Sequence, residues 1–154
     1  STLDTEYRWG GRNTQKNPGL DCMGLCFLAY AKSFNEQWCD MNKYSVIPSN
    51  LIEKGTLGDK LDLESYNITK ENISKLKKGD VLYFLVNINF CSNSKDTQKN
   101  KPIAKINNEN FWSYHMLLYS GEGNVVHASP WDGKVVEEPL ENFKNMFYFI
   151  ATRR

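Results

Sequence analysis

Histidine is scarce in this chain, with two in 154 residues, His115 and His127. An excess of charge of either sign is also missing. Lys and Arg number 19 against 18 Asp and Glu, for a formal net charge of +1. Without a basic stripe or a polybasic tail, the chain does not read as a nucleic-acid binder or as a protein drawn to anionic membranes. No apolar run approaches the roughly 18 residues of a membrane span. The four cysteines are too few for a disulfide-dense scaffold. Cys22 and Cys26 lie four apart, a separation that on a helix directs the two thiols poorly for a bridge. Cys39 and Cys91 fall in expected loops with no deducible pairing, so mostly free thiols are expected. There is no internal repeat. The opening "STLDTEYRWGG" lacks the pattern of a secretory signal peptide, so export cannot be read from it.

What is present suits a single domain over 1–154, whole or as a piece of a longer protein, with enough core to fold without staples. "YRWGG" and "NTQKNPG" read as an irregular lead-in with turn chemistry. Asp21 is a good N-cap, and the spacing predicts a helix from Cys22 to about Ser33. That helix is apolar nearly all round, which implies burial on most sides. "SNLIEKG" (Ser49–Gly55) and "TKENISKLKKGD" read as short helices or turns. "VLYFLVNI" (Val81–Ile88) is a strand bounded by turn residues. Asn89–Asn110 reads as a long polar loop. The last third reads as four strands, "FWSYHMLLYS", "NVVHAS", "KVVEEPL" and "MFYFIAT", with hairpin turns at "SGEGN" and "WDG". One buried helix followed by about five antiparallel strands is an α+β arrangement.

The chemistry concentrates on Cys22. A thiol at the first turn of a helix sits among unpaired N–H groups and the positive end of the macrodipole. Those groups favour a thiolate and could also hold a developing oxyanion. Both histidines fall on the hairpin around "SGEGN". If that turn is centred on Glu122, paired positions sum to 244, and His115 and His127 share a face as diagonal neighbours roughly 7–8 Å apart at Cα. A turn centred between residues would put them on opposite faces. One imidazole could then serve as base and the other orient it. A buried cysteine is more often core filler, and a strand histidine is more often structural. Zinc held by Cys22, Cys26, His115 and His127 is a further alternative, disfavoured by the wide spacing of the histidines.

Three blocks in order carry a resemblance. "YRWGG…GLDCMGL" (Tyr7–Leu25), "LKKGDVLYF" (Leu76–Phe84) and "HMLLYSGEGNVVHAS" (His115–Ser129) resemble the motifs of the NlpC/P60 family of cysteine peptidases. The resemblance implies a papain-like fold, with the helix that carries the nucleophile packed on the antiparallel sheet. It implies Cys22 as nucleophile, His115 as general base and His127 as the polar group orienting it. It further implies Tyr7 as an oxyanion or substrate contact, and Asp21 as a residue that in some members receives a substrate amine. The implied activity is hydrolysis of peptide bonds in bacterial peptidoglycan stem peptides, between D-glutamate and the diamino acid. No cofactor is expected, the place of action would be outside the cytoplasm, and a targeting domain could lie outside this chain.

Met23 departs from the family pattern, which usually has Ser there, and so bears on recognition of a free substrate amine. Asp40–Ser65 and Asn89–Asn110 look long and are expected to wall the cleft. Trp9, Trp112 and Trp131 are expected to pack rather than bind. Arg12 could meet a substrate carboxylate or be a solvated loop charge. An amidase, deamidase or acyltransferase of the same superfamily, or a non-catalytic binding domain, are the rival functions, because one fold hosts many chemistries.

Overall fold

A computed structural model describes residues 3–34, 47–89 and 102–154. Its main helix, α1 (Cys22–Ser33), has the expected bounds. The Asp21 side chain caps it by accepting from the Gly24 N–H, satisfying one of the donors that a helix start leaves open. Met23, Gly24, Leu25, Cys26, Phe27, Tyr30 and Ala31 are all buried, as a helix apolar nearly all round requires. Two short helices follow among the described residues. α2 (Pro48–Lys54) starts on a proline, whose fixed φ suits a first helical position, and ends at Gly55 in the left-handed region. α3 (Lys70–Ser74) is capped by Thr69. No helix among the described residues is long and apolar enough to cross a membrane.

The strands are β1 (Asp59–Lys60), β2 (Val81–Asn87), β3 (Ala104–Ile106), β4 (Glu109–Gly121), β5 (Asn124–Ser129), β6 (Lys134–Pro139) and β7 (Tyr148–Arg153). They form one antiparallel sheet in the order β1-β7-β2-β4-β5-β6, with β3 paired to β4. The five expected strands are all present, and β1 and β3 are additional. β3 corrects the reading of Asn89–Asn110 as one loop. Ala104–Ile106 and Glu109–Asn110 form a hairpin across Asn107 and Asn108, both at positive φ, a conformation asparagine tolerates. Residues 90–101 and 35–46 lie outside the described residues, and with them Cys39, Cys91 and part of each segment expected to wall the cleft.

Both faces of the sheet are covered. Val81, Tyr83 and Met116 pack against α1, while Leu82, Phe84 and Leu117 pack with Phe143 and Phe149 on the other side. This is why "VLYFLV" reads as a continuous apolar run rather than an alternation. Arg153 closes the sheet onto the "KKGD" turn. It donates from Nε and Nη2 to the two oxygens of buried Asp80 at 2.8 Å each, a bidentate pair. Asn72 is wholly buried and ties down the preceding loop. It donates to Ser65 and Asn67 and accepts from the Glu64 N–H.

Candidate active site

The lead-in loop and three close-packed glycines, Gly11, Gly19 and Gly24, seat the start of α1. Gly24 faces the Gly10–Gly11 turn so closely that a Cβ on it would lie 2.3 Å from the Gly11 carbonyl oxygen. Gly11 in turn lies against Gly19, where a Cβ would come within 2.7 Å of backbone. The motif glycines are therefore a packing requirement for bringing the lead-in loop against the helix N-terminus. Asp21 locks the same junction. Its Oδ1 accepts from the Gly24 N–H and from Arg12 Nη1, both at 2.7 Å, and its Oδ2 accepts from the Gly10 N–H at 3.0 Å. Asp21 is buried with both oxygens committed, which makes it a clamp on the loop and leaves it poorly placed to meet a substrate amine. Arg12 is the other half of that clamp rather than a solvated charge.

Cys22 is half-buried at the first position of α1 and is a free thiol. Its sulfur receives backbone N–H groups from Met23 and from Met116, the residue after His115. Those donors and the Arg12 charge pull its pKa down, but burial pushes it further up, with Asp21 adding to the rise, to about 11. Desolvation therefore outweighs the helix N-terminus, and Cys22 rests as a neutral thiol. Tyr7 lies close enough to feel the charges of Cys22, Asp21 and Tyr114, and burial leads the rise of its pKa to about 12. It keeps its proton and remains a hydrogen-bond donor.

The histidines meet as the hairpin arithmetic requires, by an unexpected route. Leu118 pairs with Val126 and Tyr119 with Val125, so paired positions do sum to 244. Yet Gly121 pairs with Asn124, which centres the turn between Glu122 and Gly123. A bulge at Ser120 absorbs the one-residue difference and restores the parity. A second bulge, at Tyr114, stands directly before His115 where β4 pairs with β2. The β4–β5 pairing ends at Leu118 and Val126, leaving the strand edge open at His115 and Met116. There His115 Nε2 lies 2.8 Å from His127 Nδ1. The far nitrogen of His127, Nε2, lies 2.8 Å from Glu138 Oε2. Both rings are buried. Burial, followed by the neighbouring His127, lowers the pKa of His115 to about 3, so it too rests neutral.

Glu138 was not singled out from the sequence, although a signal for it exists. His127 pairs with Val136 on β6, and alternation puts Glu138 on the same face, diagonal to His127. The tryptophans divide. Trp112 is buried as expected. Trp9 is not a packing residue, being 88% exposed, and Trp131 is half exposed with its ring centroid 5.3 Å from that of His115. Met23 and Cys26 are buried in the core between α1 and the sheet. Cys26 thus does not join Cys22 and the histidines in a zinc set.

The arrangement contains a thiol that meets the Met116 N–H, a neutral imidazole on the preceding residue of that strand, a second imidazole and a carboxylate in one hydrogen-bonded line, and a protonated phenol. Such a set can activate a sulfur nucleophile by removing its proton and can return that proton to a leaving group. The NlpC/P60 family model matches residues 4–96, more than half of the chain. The chain belongs to the NlpC/P60 family. That match contains Tyr7, Asp21 and Cys22 and stops before both histidines and Glu138, which the sheet topology brings in. The fold is similar to that of the peptidoglycan hydrolase RipB from Mycobacterium tuberculosis, with a TM-score of 0.54 and 18% identity. The likeness covers 99% of this chain and 58% of RipB, so the chain spans little more than half the length of that structure. Among curated proteins, none matches the chain in sequence.

Proposed function

We propose that this NlpC/P60 protein is a cell-wall hydrolase, a cysteine peptidase that cleaves peptide bonds in peptidoglycan stem peptides, with the bond between D-glutamate and the diamino acid as its target. Residues 1–154 are read as one catalytic domain acting outside the cytoplasm, where that polymer lies. The observation that carries this reading is the meeting of Cys22 with the strand that bears His115. The sulfur is held by the Met116 N–H, next in sequence to the imidazole that would take its proton. Family membership and the fold shared with a peptidoglycan hydrolase support the substrate class.

In this reading the resting pair is neutral on both sides. As Cys22 Sγ attacks the scissile carbonyl carbon, its proton passes to His115. The oxyanion is held by the Cys22 N–H and the Tyr7 hydroxyl, donors fixed before the charge develops. His115 then gives the proton to the leaving amine, and the C–N bond breaks to leave a thioester. Water, deprotonated by His115, attacks the thioester carbon; the C–S bond breaks, the carboxylate is released, and His115 returns the proton to Cys22 Sγ. Asp21 and Arg12 serve by holding the helix start in place.

Defined stem peptides carrying either diaminopimelate or lysine test the proposal. Product masses showing one new carboxylate and one new amine at the D-glutamyl bond agree with it. Release of ammonia or an acyl adduct instead would move the chain to the amidase, deamidase or acyltransferase reading.

A further inference from the structure

We propose that Glu138 is a positioning residue: as the end of a His115–His127–Glu138 chain, it fixes the tautomer of both imidazoles and leaves His115 Nδ1 bare to receive the Cys22 proton. This rests on the reading of Cys22 and His115 as nucleophile and base. The protons along the chain can be counted. An ionised carboxylate only accepts hydrogen bonds. At 2.8 Å from Glu138 Oε2, His127 Nε2 therefore carries the hydrogen. A neutral imidazole has one N–H, so His127 Nδ1 is an acceptor. His115 Nε2, 2.8 Å away, must then be the donor. A neutral His115 that spends its hydrogen on Nε2 keeps its lone pair on Nδ1. Without the carboxylate nothing orients the line. His127 could then donate from Nδ1, and His115 would take the opposite tautomer, with a hydrogen where a base is needed.

Several further observations fit this role. Glu138 lies on β6, at the edge of the sheet, and its side chain is 24% exposed, so it is not a core residue placed for packing. Its other oxygen accepts from Asn142 Nδ2 at 3.2 Å, which holds the carboxylate in register with the ring. Among the described residues, the aromatic rings set against the two imidazoles are uncharged: Phe84 from β2, Trp131 from the β5–β6 turn and Phe143 from the short 3-10 turn that follows β6. Tyr114, beside His115 in β4, stacks on Phe147. The neutral aromatic wall leaves Glu138 as the charge that decides the order of the protons.

The test reads tautomers directly, without substrate. Long-range proton–nitrogen correlation spectra of untagged, nitrogen-15-labelled protein near neutral pH contain two histidine ring systems, one for each histidine of the sequence. Both rings in the wild-type protein should be Nε2–H tautomers. Glu138→Gln should mix or invert them, and kcat on a stem peptide should fall about 10- to 100-fold, the scale seen when the carboxylate that orients a metal-bound histidine is removed, with KM little changed. The acidic limb of kcat/KM should move to lower pH, because the imidazolium loses a stabilising charge. Glu138→Asp should restore part of the rate. A hydrogen on His115 Nδ1 in the wild-type protein overturns the proposal, as does a Glu138→Gln protein with unchanged tautomers and unchanged kcat. If Glu138→Gln does not fold, the wild-type tautomers decide. Should the tautomers hold while no stem peptide is cleaved, the proposed function fails and the role of Glu138 in the relay stands. Should cleavage occur with His115 protonated on Nδ1, the reverse is true.

Discussion

Acidification should destabilise this protein through His115 in a way that can be isolated. The ring is 4% exposed, and burial and His127 hold its pKa at about 3, against about 6.5 in an unfolded chain. The folded pKa is lowered, so the folded state resists the proton that the unfolded chain accepts. Stability is therefore full above about pH 6.5 and is lost as the pH falls through the window from about 6.5 to about 3. Between pH 7.5 and pH 4.5 the unfolded histidine gains its proton at about two pH units below its pKa, which favours unfolding by about 2–3 kcal/mol. For a chain of this size that is a drop in Tm of about 5–10 °C. The readout is a difference between two proteins, which isolates this one site. Urea unfolding at the two pH values, for wild type and His115→Gln, should show the wild type losing about 2–3 kcal/mol more than the variant, which has no proton to gain at that site. Equal pH dependence in the two proteins would refute the picture of a buried neutral His115.

Alkylation of Cys22 by iodoacetamide, mapped by mass spectrometry, should keep rising past pH 9, because burial places the thiol pKa at about 11; a plateau reached by neutral pH would show a resting thiolate instead. His127→Ala should lower kcat on a stem peptide less than His115→Ala does, since His127 acts through the other ring; the reverse order in steady-state assays would exchange their roles. Gly24→Ala should cost about 3 kcal/mol or more in chemical denaturation, at the upper end of overpacking, since the added methyl would overlap the Gly11 carbonyl oxygen. An unchanged midpoint would mean that the helix and the lead-in loop can separate freely.

The parts of the fold carried by local signals are legible in the amino-acid order. Asp21 before an apolar run marks the start of α1, and the alternation and turn residues of the last third mark β4 to β7. The pairing of His115 with His127 is legible through parity, though the turn sits half a residue from where the arithmetic places it and the bulge at Ser120 makes up the difference. A bulge leaves no composition of its own, which is why Ser120 and Tyr114 look ordinary in the sequence. β3 is short, with three residues, and sits among polar Asn and Lys, so its pairing with β4 overrides a loop-like composition. Burial is the other quantity that local pattern misses. The helix N-terminus at Cys22 argues for a thiolate, yet the core packed around it wins. Asp21 looks like a cap that could also meet a ligand, until Arg12 and Gly10 arrive from the lead-in loop to occupy its oxygens. Glu138 lies in a strand of mixed polarity and gains meaning only once β6 is set against β5.

The central claim is that Cys22 is the nucleophile of a peptidoglycan stem-peptide hydrolase. The most direct test is side-by-side digestion of purified peptidoglycan by the wild-type protein and by Cys22→Ala, with the soluble fragments read by mass spectrometry. Stem peptides should be cut at the D-glutamyl bond by the wild type, and none by a Cys22→Ala protein whose thermal unfolding matches that of the wild type. Cleavage that persists in Cys22→Ala would contradict that claim.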